Sequence, residues 1–214
     1  SSKFITNQDK LPWDLINDIL PSTEKVHFLV GFFYFSGFHE LYSELKEKNI
    51  RILVGMEVEV DIKKAVKEIY TLEDKYSNKE EFFSQLKNVF NHTDTFDSKK
   101  NMEALGVFLE KIENGSLEIR KTLEPNHSKL YLFEKKTEFS EGWHFPGTLI
   151  TGSSNLTYSG LRWRNECNVI LRDKDDYEAG KELFDELWSV AISITTGGEE
   201  DPVIKLLKQE TWLK

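Results

Sequence analysis

His127-Ser128-Lys129-Leu130-Tyr131-Leu132-Phe133 reads as a strand entered through two polar side chains. Beyond Lys129 every position is apolar, the pattern of a strand covered on both faces. Alternate side chains of a strand share a face, so His127 and Lys129 project together from its start. Thr148-Leu149-Ile150-Thr151 is a second strand, and it runs into Gly152-Ser153-Ser154-Asn155, small residues that let backbone approach a ligand closely. Glu166 opens a third, Cys167-Asn168-Val169-Ile170-Leu171. An imidazole, an ammonium, an amide and a carboxylate are thereby carried to the ends of three neighbouring strands, where open α/β sheets bind ligands.

Working outward, Val26 to Phe35 is a continuous apolar and aromatic run, and Arg51-Ile52-Leu53-Val54-Gly55 is another. Ser36-Gly37 offers an N-cap for a helix to about Lys48, so strand, helix and strand predict a parallel βαβ unit. Leu11 to Leu20 has helical spacing and Pro21 stops it. Ile62, Ala65, Val66 and Ile69 share a helical face, as do Met102, Leu105, Leu109 and Ile112, with Gly115 as the stop. Tyr76 to Asp97 is polar apart from Phe82, Phe83 and Phe90, and carries no readable function. Leu117 to Arg120 is a short alternating strand, and a late helix is expected to face Ala179, Leu183, Leu187 and Trp188 to the core. The predicted fold class is α/β, with a mixed, largely parallel central sheet flanked by helices over residues 1–194. Thr195 to Pro202 has linker composition, so 195–214 is expected as a linker and a short helix with little of its own to bury.

The chain has 214 residues, 39% hydrophobic and 13% aromatic, enough to build one sizeable core. No apolar run approaches the roughly 20 residues of a membrane helix; Val26 to Phe35 is too short and contains His27 and Gly31. No secretory signal pattern opens the chain, and one cysteine, Cys167, makes no internal disulfide, so a reducing cytoplasm is the expected compartment. The formal net charge of −9 argues against a globally basic nucleic-acid binder, so any attraction for a phosphate chain must be local or supplied from elsewhere.

Phosphodiester cleavage needs the residue types gathered above. Neutral imidazole attacks phosphorus, and a covalent intermediate splits one hard displacement into two. Fixed positive charge and hydrogen-bond donors must meet the phosphoryl oxygens, a task for Lys129 and Asn155. A carboxylate on the far ring nitrogen fixes the tautomer of the attacking imidazole, and Glu166 is the natural candidate.

His127-Ser128-Lys129, Gly152-Ser153-Ser154-Asn155 and Glu166, in that order, resemble the HxK…GSxN…E motif of the phospholipase D superfamily. The stretches His127 to Phe133 and Gly152 to Leu161 look like those of phospholipase D-like domains found ahead of superfamily II helicases. The resemblance implies that His127 is the nucleophile, that Lys129 and Asn155 bind phosphate, that Glu166 orients His127, and that Ser153 and Gly152 help to seat the substrate. Two features depart from the family pattern. The family's aspartate, five residues after the lysine, is Glu134 here, in a structural or supporting position. Lys135 to Pro146 lengthens the next interval and reads as a hairpin excursion whose Lys135, Lys136, Trp143 and His144 either touch substrate or are solvated.

The family site uses two HxK motifs, and this chain has one: His27, His39, His92 and His144 are followed two residues later by Leu29, Leu41, Asp94 and Pro146. The implied assembly is a two-fold homodimer with both His127 residues at one phosphate. No cofactor is expected, and no cluster has metal-ligand spacing, so no metal either. The expected partners are nucleic acid, DNA foremost, a second copy of the chain and a helicase region in a longer protein, with no membrane. Arg162-Trp163-Arg164 reads equally as a nucleic-acid contact through Arg162 and Arg164 or as a basic loop. Tyr34 and Phe35 are expected to fill core, and Cys167 to be a small buried hydrophobe. The alternatives are a non-catalytic nucleic-acid-binding or dimerisation domain and a phospholipid hydrolase.

Overall fold

A computed structural model of the chain describes residues 3–6, 12–31, 33, 35–55, 99–136, 145–156, 161 and 166–205. The strands are β1 (Phe4–Thr6), β2 (Thr23–Val30), β3 (Asn49–Val54), β4 (Leu117–Lys121), β5 (Leu130–Lys135), β6 (Gly147–Gly152), β7 (Cys167–Leu171) and β8 (Ile192–Ser193). The helices are α1 (Pro12–Ile19), α2 (Phe35–Leu45), α3 (Lys99–Glu113) and α4 (Lys174–Val190). The expectations for 62–69, 76–97, Tyr34, Trp143, His144, Arg162 and Arg164 lie outside the described residues.

One mixed sheet organises these elements, in the order β1-β7-β6-β5-β2-β3-β4-β8. Among the named strands, parallel pairing is confined to β2 with β3 and β3 with β4, and the other five pairings are antiparallel. The sheet is therefore mixed, as expected, but less parallel than expected. Successive β5, β6 and β7 lie side by side, and sequence neighbours that pair directly need no crossover when they run antiparallel.

Strand alternation sorts the apolar side chains onto two faces. Val26, Phe28, Val30, Ile52, Ile119, Tyr131, Phe133 and Ile150 join the main core with Leu15 and Ile16 of α1, Phe38 and Leu41 of α2, and Leu105 and Phe108 of α3. Leu29, Leu53, Leu130, Leu132 and Leu149 form the opposite core with Tyr177, Phe184 and Trp188 of α4. Pro21 does not simply end a helix: it sits within a 3-10 turn, Leu20–Ser22, that continues α1 into β2. Phe35 belongs to α2 rather than to the preceding strand.

The stretch that composition assigned to a linker packs onto the fold as far as Lys205. Gly197 and Gly198, at φ 75° and 79°, turn the chain, and Gly198 N–H donates to Glu113 O at the end of α3. Asp201, fully buried, accepts the backbone N–H groups of Thr196, Gly197 and Val203, and Val203 and Ile204 enter the main core. Residues 206–214 lie outside the described residues.

The pairings set one edge apart. β2, β3, β4 and β6 end there, and β5 and β7 begin there.

Candidate active site

That edge carries His127 and Lys129 before β5, Gly152 to Asn155 at and beyond the end of β6, and Glu166 before β7. Leu130 pairs with Thr151 and Gly152 with Asn168, so Lys129 enters beside Gly152. The Thr151 hydroxyl donates to Lys129 O at 2.8 Å, locking the two strand ends together. Lys129 Nζ donates back to His127 O at 2.8 Å. His127 is exposed, and among the described residues none hydrogen-bonds its imidazole.

The turn after β6 is held from three sides. Tyr131, fully enclosed in the main core, donates its hydroxyl to Ser154 O at 2.7 Å. Burial, and then the charge of Glu166, push the Tyr131 ionisation far up, so the phenol stays a neutral donor. Asn168, buried in β7, donates Nδ2–H to Ser154 Oγ at 2.8 Å. From above, Gly37 of α2 lies against Leu156: a Cβ on Gly37 would fall 2.4 Å from Leu156 O. Gly152 is under the same constraint, since its Cβ would lie 2.3 Å from Cys167 O. A strand residue with a side chain does not fit there.

Ser153 Oγ–H donates to Glu166 Oε2, and Ser153 Oγ accepts Cys167 N–H at 3.1 Å. The carboxylate is thus presented at the edge by the serine of the same turn. Asn155 Oδ1 is buried without a hydrogen-bond partner among the described residues. That oxygen is an acceptor left open to a donor group. Together these groups offer a free imidazole, an ammonium, an amide and an oriented carboxylate around one patch of surface. That set is suited to binding and attacking a phosphoryl group. Among the described residues no group of three or more His, Cys, Asp or Glu is placed to hold a metal.

Glu134 sits elsewhere. It is five residues beyond Lys129, about 17 Å along the strand at 3.3–3.4 Å per residue, and on the α4 face. There it accepts from His27 Nε2 at 3.2 Å and Lys25 Nζ at 3.4 Å. It braces β2 against β5 and has no path to the edge. Cys167 is exposed, contrary to its expected burial, because it starts β7 on the opposite face from buried Asn168, where α4 does not reach. The supports that motif reading missed are Tyr131, Thr151 and Asn168. Asn168 alone left a sign, as an amide at an inward position of an otherwise apolar strand.

Residues 15–188 match the family model described as "Cardiolipin synthase, PLD-like domain". A comparison with curated proteins finds no match. Among solved structures, the chain is similar to Nuc of Salmonella typhimurium, a phospholipase D family member, at 12% identity and TM-score 0.46, covering 86% of this chain and 90% of that one. NucT from Helicobacter pylori shows 11% identity and TM-score 0.49, covering 89% and 96%. The phosphatidylserine synthase of Haemophilus influenzae Rd KW20 shows 18% identity and TM-score 0.48, covering 92% of this chain and 41% of that one.

Proposed function

Because the chain belongs to the phospholipase D-like family, we propose that it is a phosphodiesterase that cleaves nucleic-acid phosphodiester bonds through a phosphohistidine, at a site completed by a second copy of itself. The observation that carries this reading is the convergence of His127, Lys129, Gly152 to Asn155 and Glu166 on one sheet edge. His127 of one protomer attacks phosphorus, and Lys129 and Asn155 take the charge that builds on the non-bridging oxygens. The second His127, protonated, gives its proton to the leaving oxygen; once neutral, it takes a proton from the water that cleaves the phosphohistidine. Glu166 orients the attacking imidazole, with Ser153 steadying the carboxylate.

No step calls on a metal: the ammonium and imidazolium supply the positive charge. Nucleic acid is favoured as substrate by the likeness of His127 to Phe133 and Gly152 to Leu161 to helicase-associated domains, and on that reading the chain serves a helicase or restriction-type protein in the cytoplasm. Arg162 and Arg164 would then contact the strand beside the site. The test is cleavage of labelled single- and double-stranded DNA with EDTA present. Activity that survives chelation and falls at least about 10⁴-fold in His127→Ala is expected for loss of a covalent nucleophile. Tight binding with no cleavage, unchanged in His127→Ala and weakened in Lys129→Ala, would instead make this a binding domain.

A phospholipid substrate is the second reading, favoured by the description of the matching family model. Among the described residues no helix is long and apolar enough to cross a membrane, so such a substrate would be met at a bilayer surface. Headgroup release from phosphatidylcholine or phosphatidylglycerol vesicles, with DNA left intact, would decide for it.

A further inference from the structure

We propose that Gly55 and Thr122, which carry no reacting group, are positioning residues that hold the His127 loop at its working place. The inference rests on the phosphodiesterase reading of the same edge. Between β4 and β5 the chain passes across the ends of β3 and β2. Three strand spacings amount to about 14 Å, whereas the eight residues from Thr122 to Lys129 reach about 26–29 Å when extended. A connection with that much slack does not by itself fix an exposed imidazole that no described side chain holds.

A clamp at the end of β3 takes up the slack. Gly55 N–H donates to Val30 O at 2.8 Å, which extends the β2–β3 pairing by one residue. Asn126 N–H, one residue before His127, donates to Gly55 O at 2.6 Å. Thr122 N–H donates to Val54 O at 3.0 Å, and the buried Thr122 hydroxyl donates to Glu124 O at 2.6 Å, folding the loop over the strand end. Asn126 Oδ1 accepts Ser128 N–H at 2.8 Å, so the turn closes on both sides of His127. The fit at Gly55 admits no side chain. Its Cβ would lie 2.1 Å from Asn126 O and 2.9 Å from Asn126 C, where real contacts stay beyond 3.0 Å. Even alanine must push the loop outward by about 1 Å, a displacement that costs up to about 100-fold in a site of this kind.

The experiment compares the whole chain with Gly55→Ala, Thr122→Val and Thr122→Ser, using bis(p-nitrophenyl) phosphate as a generic phosphodiester. The His127 Cε1–H signal is followed by NMR in the same samples, and thermal unfolding checks the fold. Gly55→Ala is expected to lower kcat about 100-fold with KM little changed and to move the His127 signal. Thr122→Val, which keeps the shape and loses one hydrogen bond, is expected to lower kcat about 10-fold, and Thr122→Ser to recover most of that. If Gly55→Ala does not fold, the Thr122 pair decides. A wild-type His127 signal and, where the wild type cleaves, wild-type kcat in Thr122→Val overturn the clamp. An inert wild type whose His127 signal still moves in Thr122→Val and returns in Thr122→Ser upholds the clamp and removes the phosphodiesterase reading.

Discussion

His27 Nδ1 accepts Arg51 Nε–H at 2.9 Å, so Nε2 carries the ring hydrogen and donates it to Glu134 at 3.2 Å. A second proton would have to enter at Nδ1, against the guanidinium. Burial foremost, with the charges of Arg51 and Lys181, holds the His27 pKa below its ordinary value despite the Glu134 carboxylate. Glu134 is itself pulled down to about 2, chiefly by the hydrogen bond from His27 and also by Lys25. Lys25, Arg51, Lys181, Asp185 and Tyr177 complete the surroundings from β2, β3 and α4. Both shifts act in one direction. Below about pH 6.5 the unfolded chain takes up a proton that native His27 refuses; Glu134 adds stability above about pH 4.5 that is lost as pH falls towards 2. Urea midpoints should therefore fall steadily from pH 7 to pH 4. Glu134→Gln should cost roughly 1–2 kcal/mol at neutral pH and flatten the acid limb. At the edge, Tyr131→Phe leaves Ser154 O buried without its donor and should cost about 1–3 kcal/mol, read as a shift in urea midpoint. The candidate residues His127, Lys129, Asn155 and Glu166 could be named from the sequence because the motif they form is ordered along the chain. Gly55, Thr122 and Tyr131 were not, because each acts on backbone that only the folded chain brings beside it, and Asn168 left no more than its amide in an apolar strand.

Most strands were legible as apolar runs, while the misreadings cluster where an element is short or its inward stripe ambiguous. β1 and β8, of three and two residues, bury too little to leave a pattern. On α4 the stripe Ala179, Leu183, Leu187, Trp188 competes with Tyr177, Gly180, Phe184, Trp188, and the structure buries the second. Gly180 decides the register: its missing side chain lets the helix settle on Leu149, whose Cδ2 would lie 2.7 Å from a Cβ there. Leu183 is left 44% exposed, whereas Phe184 is fully buried, stacked with Trp188 under Arg51. Phe184→Ala should accordingly cost about 3–5 kcal/mol, and Leu183→Ala within about 0.5 kcal/mol of nothing, as measured by chemical denaturation. Equal losses would mean that the helix sits in the other register.

For the molecule as a whole, the proposed pairing of two imidazoles makes activity a property of dimers. If wild-type and His127→Ala chains are unfolded, mixed equally and refolded together, about a quarter of the dimers carry both rings. Activity per dimer should then drop to about one quarter of the wild type, against one half if each chain works alone; an active monomer on sedimentation would contradict the shared site. The flanks of the sheet bear on how two copies can meet. Among the described residues the sheet ends on its two shortest strands, β1, with Lys3 ion-paired to Asp173 beside it, and β8, which leads into the packed 194–205 segment. Margins so brief give an incoming chain almost no ladder to extend. Sideways accretion into ribbons or fibrils through these margins is disfavoured.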